Sequence, residues 1–483
     1  MSEKIRIAVV GCGHVGLVIA ASFAELGHDV VCVDNDAAKV AALQAGKTLI
    51  HEDDLSELLD RCRNRQIRFT TDLDEAVRTC GVIFIAVGTM PSSGGPGKNG
   101  ETDLSQVEAV AIDMARSIAS YKVIVVKSTV PLHTNGWIRR VIERNKVPPE
   151  LFDVVSNPEF LREGTAVSDF LHPNRIVIGA DSERAADVLH SIYAPLTSGE
   201  YYKKEGSIGG PYSATGAPPL LLTSTKSAEI IKHASNAFIA LKISFINVVS
   251  NLCEVAEANV EQVAEGMGLD GRIGPRFLRP GIGYGGSSFA KDVTSFRSTA
   301  EHMGMNFGLL TEVEKINQRQ KKHFLAKVRT ALWTLRRKKL AVLGLAFKGG
   351  TDDIRESVAI EIVKMLLAEG CMVVAYDPAA MTLAKDELPP SAVMEYASSA
   401  YAAAADADAL VILTDWPEFA VLDLPRMKQT LRYPIVIDGR NLYDPKLMAA
   451  CGMTYVSVGR PTAKPAHAPA AAQTPSADAS TKQ

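Results

Sequence analysis

The sequence predicts an α/β protein in which two separate parallel sheets flank a mostly helical middle segment. Three features predict it: short apolar runs alternate with amphipathic stretches in the first half, a breaker-poor helical region follows, and a second, shorter alternation fills residues 336–460. At 483 residues the chain is also too long for one ordinary core and long enough for two or three domains.

The first alternation places strands at Ile5–Val10, Val30–Val33, Val82–Val87, Val123–Val126 and Ile176–Ile178. Short β-branched runs separated by helical patterns describe a parallel sheet covered on both faces, which assigns residues 1–205 to one domain. Residues 206–223 continue a stretch rich in Gly, Pro, Ser and Tyr and read as a linker. The central helical domain is expected over 224–335, with helices at Ser224–Asn259 and Phe307–Leu335. The second α/β domain, 336–460, has strands at Leu340–Leu343, Met372–Tyr376, Ala409–Leu413 and Ile435–Ile437 and a helix over Ser357–Leu367. The Ala/Pro/Ser/Thr-rich tail, 461–483, cannot bury a core and is expected to be disordered.

Composition narrows the function classes. With 47% hydrophobic and 22% charged residues and a net charge of −3, the chain has no global basic field for nucleic acid or an anionic membrane. The local run Arg336-Arg337-Lys338-Lys339 reads as a solvated helix end. No unbroken apolar run reaches the roughly 18–20 residues of a membrane span, and Lys4 leads straight into a strand, so no signal peptide is expected. Seven widely spaced cysteines without a CxxC argue against a disulfide framework and against a zinc site. No metal site is expected, and a reducing cytoplasm is the natural setting.

Gly11-Cys12-Gly13-His14-Val15-Gly16 follows the first strand and opens a helix. In that context the glycines Gly11, Gly13 and Gly16 allow a tight turn and let backbone approach a pyrophosphate at the helix N-terminus, the pattern of a Rossmann-type dinucleotide domain. Asp34 ends the second strand, close to the expected spacing of about 20 residues. Its carboxylate accepts from ribose hydroxyls and repels a 2′-phosphate, which selects NAD over NADP.

Three longer segments carry a resemblance. Ser156-Asn157-Pro158-Glu159-Phe160-Leu161-Arg162-Glu163-Gly164, Gly283-Tyr284-Gly285-Gly286-Ser287-Ser288-Phe289-Ala290-Lys291-Asp292, and Gly344-Leu345-Ala346-Phe347-Lys348 continuing to Asp352-Asp353-Ile354-Arg355-Glu356-Ser357 closely resemble signatures of the UDP-glucose/GDP-mannose dehydrogenase family, in the family's order. The resemblance spans roughly residues 5–460. It implies an N-terminal Rossmann-type NAD domain, a central helical dimerisation domain and a C-terminal Rossmann-like UDP-sugar domain. It also implies two successive hydride transfers from C6 of a nucleotide sugar, with UDP-glucose to UDP-glucuronate as the default and other UDP- or GDP-sugars open. A homodimer or higher homo-oligomer follows from the same resemblance.

The resemblance assigns roles residue by residue. Lys232 and Asn236 lie four apart on one helix face, where they would orient the alcohol and stabilise its oxyanion. Glu159 is an acid/base or water-positioning group, Thr129 helps hold the water, and Asp292 is the carboxylate paired with water and nucleophile. Ser288 occupies the nucleophile position. The cofactor set comprises Gly11, Gly13, His14, Val15, Gly16 and Asp34, joined by Lys39, Thr89, Thr129, Glu163, Lys291 and Arg355. The sugar-nucleotide set comprises Glu159, Phe160, Leu161, Lys232, Asn236 and Gly285, then Phe277, Leu278, Arg279, Phe347, Lys348 and Arg440, with Arg272 reaching the partner subunit's sugar.

The chain departs from the pattern where the family carries its catalytic cysteine. Ser288 stands there, Ala290 replaces the following proline, His133 replaces a glycine, and Gly349-Gly350 stands where Pro-Asn is common. A thiol with a pKa near 8.5 supplies thiolate at neutral pH, whereas an alcohol does not ionise without a strong adjacent base. Three outcomes are compatible with the serine: full oxidation through Ser288 or a hydrate, arrest at the aldehyde, or sugar-nucleotide binding without catalysis.

Overall fold

The computed structural model describes residues 4–63, 65–89, 102–210 and 217–465. Most of the tail expected to be disordered, from residue 466, and residues 211–216 of the expected linker lie outside the described residues.

The first sheet contains β1 (Arg6–Val10), β2 (Asp29–Val33), β3 (Ile67–Thr70), β4 (Val82–Ile85), β5 (Lys122–Val126), β6 (Phe152–Ser156), β7 (Ile176–Gly179) and β8 (Leu220–Thr223). The second contains β9 (Lys339–Leu343), β10 (Met372–Tyr376), β11 (Met394–Tyr396), β12 (Ala409–Ile412), β13 (Ile435–Asp438) and β14 (Thr454–Val456). Their orders are β3-β2-β1-β4-β5-β6-β7-β8 and β11-β10-β9-β12-β13-β14. The first six positions of each repeat the 3-2-1-4-5-6 order of a doubly wound dinucleotide fold. Every pairing is parallel except β6–β7, which pairs antiparallel through Ser156 and Gly179.

Strands buried on both faces need apolar cover on both faces. On one side of the first sheet, Phe23, Phe84, Phe170 and Tyr193 pack together, with Phe23 and Phe84 ring centroids 4.8 Å apart. On the other side lie Ile83, Ile124, Met114 and Ile138. The second sheet has its own core, which includes Phe419, Met427, Met448 and Tyr455.

The sequence reading placed no strand at β3, β6, β8, β11 or β14. Asp153 interrupts β6, but Tyr121 Oη donates to it at 2.8 Å and Arg139 Nη2 at 3.2 Å, so a buried strand tolerates the charge. β8 occupies residues 220–223, inside the expected linker, because its backbone pairs with β7 from Ile176 to Gly179.

The chain separates into two compact units, 1–244 with 284–318 and 346–357, and 245–283 with 319–345 and 358–483. The expected middle segment is therefore shared between them. Its helices, Thr225–Val255 and Gly308–Leu332, each contribute to both units. By length and composition alone, Thr225–Val255 could cross a membrane, with a mean hydropathy of 1.5 over its most apolar window. It carries Glu229 and Lys232, both buried, and holds no unbroken apolar run of that length.

In the second unit, Glu254 accepts from His323 Nε2 at 2.8 Å, Lys327 Nζ at 2.6 Å and the Gly459 N–H at 2.8 Å. Burial pushes this carboxyl up, but the three donors outweigh it and bring it down to about 2. A carboxyl held below its usual 4.5 stabilises the fold above that pH and loses the contribution as the pH falls toward 2. Glu254→Gln is expected to lower the unfolding free energy by about 2–3 kcal/mol at neutral pH. Urea denaturation of both proteins should show this difference shrinking as the pH drops from 5 to 3; a difference independent of pH would contradict it.

Candidate active site

The first βα turn explains its glycines one by one. Gly11 has φ +105°, and a Cβ there would lie 2.7 Å from the Ala86 carbonyl oxygen. A Cβ on Gly16 would lie 1.7 Å from the Gly11 carbonyl oxygen, so only glycine lets helix α1 (His14–Glu25) start against the turn. A Cβ on Gly13 would meet nothing within 4 Å, which leaves backbone N–H groups at the helix start open to an anion.

Asp34 closes this turn. Its carboxylate accepts from the Cys12 N–H at 2.8 Å, the Asp36 N–H at 3.0 Å and Lys39 Nζ at 3.1 Å. Burial raises it, yet these donors outweigh burial and hold it below the usual carboxylate range. The acid is ionised and fixed at the end of β2. His14 is pushed below its usual value by burial, and its Nε2 has no hydrogen-bond partner among the described residues. An ionised carboxylate at the strand end, an open glycine and a neutral imidazole with an unused nitrogen fit a bound dinucleotide.

At the carboxyl end of β6 the chain turns into Glu159. Lys232 Nζ donates to Glu159 Oε1 at 2.8 Å, and the Leu161 N–H donates to Oε2 at 2.6 Å. Glu159 and Lys232 are both buried, and Lys232 also lies 5.5 Å from the centre of the Phe160 ring. Burial raises Glu159, but Lys232 more than compensates and keeps it below the usual range. One helical turn beyond Lys232, Asn236 Nδ2 donates to Asp292 Oδ2 at 2.6 Å. Asp292 Oδ1 is buried and unpartnered among the described residues. Lys291 Nζ reaches Thr89 Oγ1 at 2.8 Å, and Thr89 Oγ1 donates to the Thr129 carbonyl oxygen at 2.9 Å.

Glu163 forms a second carboxylate centre with Asp353 and Arg355. Arg355 Nη2 lies 3.4 Å from Glu163 Oε1, and Arg355 Nε donates to Asp353 Oδ2 at 2.9 Å. Burial and the neighbouring Asp353 push Glu163 up, because two adjoining carboxylates resist ionising together. Lys348 is held below its usual value by burial and lies near Glu163 and Glu52.

Ser288 is exposed in the first turn of helix Ser287–His302. Gly285 is buried, and Gly286, at φ +87°, is so close to Phe347 that a Cβ would lie 2.7 Å from its ring. His133 has φ +71°, the left-handed conformation that a glycine adopts without strain, and its N–H is held by Glu229 Oε2 at 2.8 Å.

The first unit thus contains Thr129, Glu159, Phe160, Leu161, Glu163, Lys232, Asn236, Asp292, Phe347, Lys348 and Arg355. Arg272, Phe277, Leu278, Arg279 and Arg440 belong to the second unit. There Leu278 is buried, Arg279 and Arg440 are electrostatic neighbours, and exposed Arg272 is chelated by Asp270 at 2.6 Å. Residue patterns did not single out Glu52, Lys127 or Asp353. Lys127 is buried on Asn157 Oδ1 at 3.0 Å, and burial pushes it down to about 7.

Residues 5–197 match the NAD binding domain of the UDP-glucose/GDP-mannose dehydrogenase family, 226–319 its central domain and 341–445 its UDP binding domain. The chain is 41% identical over 460 residues to the UDP-glucose 6-dehydrogenase TuaD of Bacillus subtilis, covering 95% of this chain and 94% of that one. It is 43% identical to the UDP-glucose 6-dehydrogenase of Rhizobium meliloti, covering 95% and 100%. A solved UDP-glucose dehydrogenase from Pyrobaculum islandicum superposes with a TM-score of 0.80 at 36% identity, covering 91% of this chain and 95% of that one.

Asp34→Ala removes the ionised acceptor at the end of β2. It is expected to weaken NAD binding about tenfold or more, with the unmodified protein preferring NAD to NADP. Calorimetric titration of both cofactors checks this; equal affinities in the unmodified protein would contradict it.

Proposed function

The chain belongs to the UDP-glucose/GDP-mannose dehydrogenase family, and from that we propose that it oxidises the C6 hydroxyl of UDP-glucose to UDP-glucuronate with NAD. The observation that carries this reading is the buried Lys232–Glu159 and Asn236–Asp292 constellation, with Asp292 Oδ1 unpartnered among the described residues. The UDP-glucose 6-dehydrogenase names of the relatives support the choice of sugar.

NAD, when bound by the Gly11–Gly16 turn, Asp34 and the Glu163–Arg355 centre, supplies the hydride acceptor. Lys232 and Asn236 donate to the C6 oxygen and stabilise the negative charge that develops on it. Asp292 accepts the hydroxyl proton through a water at Oδ1, and Glu159 holds Lys232 in place at 2.8 Å. Lys348 and Phe347, in the first unit, hold the nucleotide.

Ser288 favours a second reading, in which the first oxidation is competent and the second impaired. Its hydroxyl stays protonated at neutral pH, and its motif holds no histidine to act as base. The first hydride loss needs no covalent adduct, whereas the aldehyde must add a nucleophile before the second.

The homodimer is also a proposal. Phe245, Val248, Leu252 and Val255, spaced 3, 4 and 3 apart, leave an exposed apolar stripe on the second-unit part of helix Thr225–Val255.

Two outcomes test these assignments. Lys232→Ala is expected to slow hydride transfer about a hundredfold, roughly 2.7 kcal/mol of barrier, in stopped-flow NADH traces; unaltered turnover would reduce Lys232 to a structural ion-pair partner. Ser288→Cys is expected to raise acid formation at least tenfold, about 1.4 kcal/mol, when aldehyde, acid and NADH are quantified side by side. If the serine protein already releases acid with two NADH per sugar, at a rate cysteine cannot improve, the impaired-second-step reading fails.

A further inference from the structure

Glu52 lies far in sequence from every motif above, yet it is buried against one of them. It sits between the helices Ala37–Gln44 and Leu55–Cys62, on the connection leaving β2. Its Oε2 accepts from the Gly164 N–H at 2.8 Å and its Oε1 from the Ala166 N–H, contacts made across more than a hundred residues. Ala166 is the first residue of helix Ala166–Leu171, whose N-cap Thr165 makes no side-chain capping bond. A free N–H in the first turn of a helix is ordinarily served by a nearby side chain or by water. Here a distant buried carboxylate serves it, and the desolvation cost of that carboxylate exceeds what a local cap requires.

We propose that Glu52 is a positioning residue for Glu163, fixing the turn from which the Glu163 side chain projects toward the cofactor. This rests on the reading of Glu163 as a cofactor-facing group. The turn is tightly determined around that side chain. Gly164, at φ +83°, packs so closely that a Cβ would lie 2.5 Å from the Gly350 carbonyl oxygen. Arg162 Nη2 on the other side of Glu163 is bound to Asp169 at 2.6 Å. Glu52 holds the peptide N–H immediately after Glu163, so its two hydrogen bonds determine where the Glu163 carboxyl meets Arg355 and Asp353. Glu163 Oε2 is buried and accepts from no described group, and the Glu163 carboxyl is hydrogen-bonded to that of Asp353. Because Glu52 follows β2, the link joins the connection after Asp34 to the Glu163 end of the same cofactor site. Burial pushes the Glu52 carboxyl up to about 7 against the pull of the two N–H groups, so its hold on the turn is finely balanced.

The test is a double-mutant cycle read by calorimetric NAD titration, with Glu52→Gln, Glu163→Gln and the double variant. Glu52→Gln places an amide donor against an N–H and should raise the NAD dissociation constant about tenfold. Glu163→Gln should weaken NAD comparably, and the double variant should be no worse than the weaker single one within about twofold. Glu52→Asp keeps the charge on a shorter arm and should recover part of the loss. In steady-state assays the NAD KM of Glu52→Gln should rise while the nucleotide-sugar KM stays in place. Multiplicative losses in the double variant, or normal NAD binding by Glu52→Gln, would overturn the positioning role. Normal NAD binding by Glu163→Gln would instead remove the reading of Glu163, and this proposal with it. If both Glu52 variants fail to give a cooperative melt, Glu52 serves stability and the proposal falls.

Discussion

The buried ion pair between Glu159 and Lys232 is the constraint around which the first unit is organised. Each partner is less than a tenth exposed, and removing two charges from water costs several kcal/mol per ion unless geometry and further hydrogen bonds compensate. The compensation is visible: Glu159 uses its second oxygen on the Leu161 N–H, and the aromatic face of Phe160 lies beside the ammonium. Such a pair is a weak source of stability, and its position at the carboxyl end of a parallel sheet is where doubly wound folds bind ligands. The same helix that places Lys232 also places Asn236, whose amide reaches Asp292 on helix Ser287–His302. The sheet edge and the two helices therefore meet at one cluster of charge.

A second constraint recurs in both sheets. After β1, the Cys12 N–H donates to Asp34 at 2.8 Å; after β9, the Leu345 N–H donates to Asp377 at 2.7 Å. Each turn begins with a glycine at positive φ, Gly11 at +105° and Gly344 at +95°. An aspartate at the end of the neighbouring strand thus locks the first βα turn twice in one chain. The two differ in the further partner of the carboxylate. Asp377 is fully buried and also receives Trp416 Nε1 at 3.1 Å, so it is spent on structure. Asp34 is buried as well, but its carboxylate pairs with Lys39 Nζ at 3.1 Å in place of a tryptophan, and NAD belongs to the first sheet.

The departures from the family pattern are absorbed locally. His133 adopts the left-handed backbone that glycine would take there, with Glu229 bonding its N–H and the N–H of Asn135 at 3.0 Å. Gly350, at φ +82°, keeps the backbone shape at a position where asparagine is common. Ser288 differs in kind, since it alters the acidity of the side chain and leaves the backbone of its helix intact.

Much of this was legible in the residue order. The alternation of β-branched runs with amphipathic helices, the glycine turn and Asp34 depend on contacts close in sequence or on strict periodicity, so they identified the fold class, NAD and the family. Strands broken by a charge, such as β6 with Asp153, were not legible, because only Tyr121 and Arg139 make that charge tolerable there. The span of helix Thr225–Val255 was legible, but its partition between the two units was not. Glu52 is the clearest case. Nothing around it in the sequence marks a functional residue, and its meaning arises from two N–H groups more than a hundred residues away. Sequence by itself determined the fold class, the cofactor and the family. Tertiary structure alone decided which carboxylates are ionised, which are held in pairs and which turn each one fixes, because desolvation and hydrogen-bond geometry exist only once distant segments are packed together.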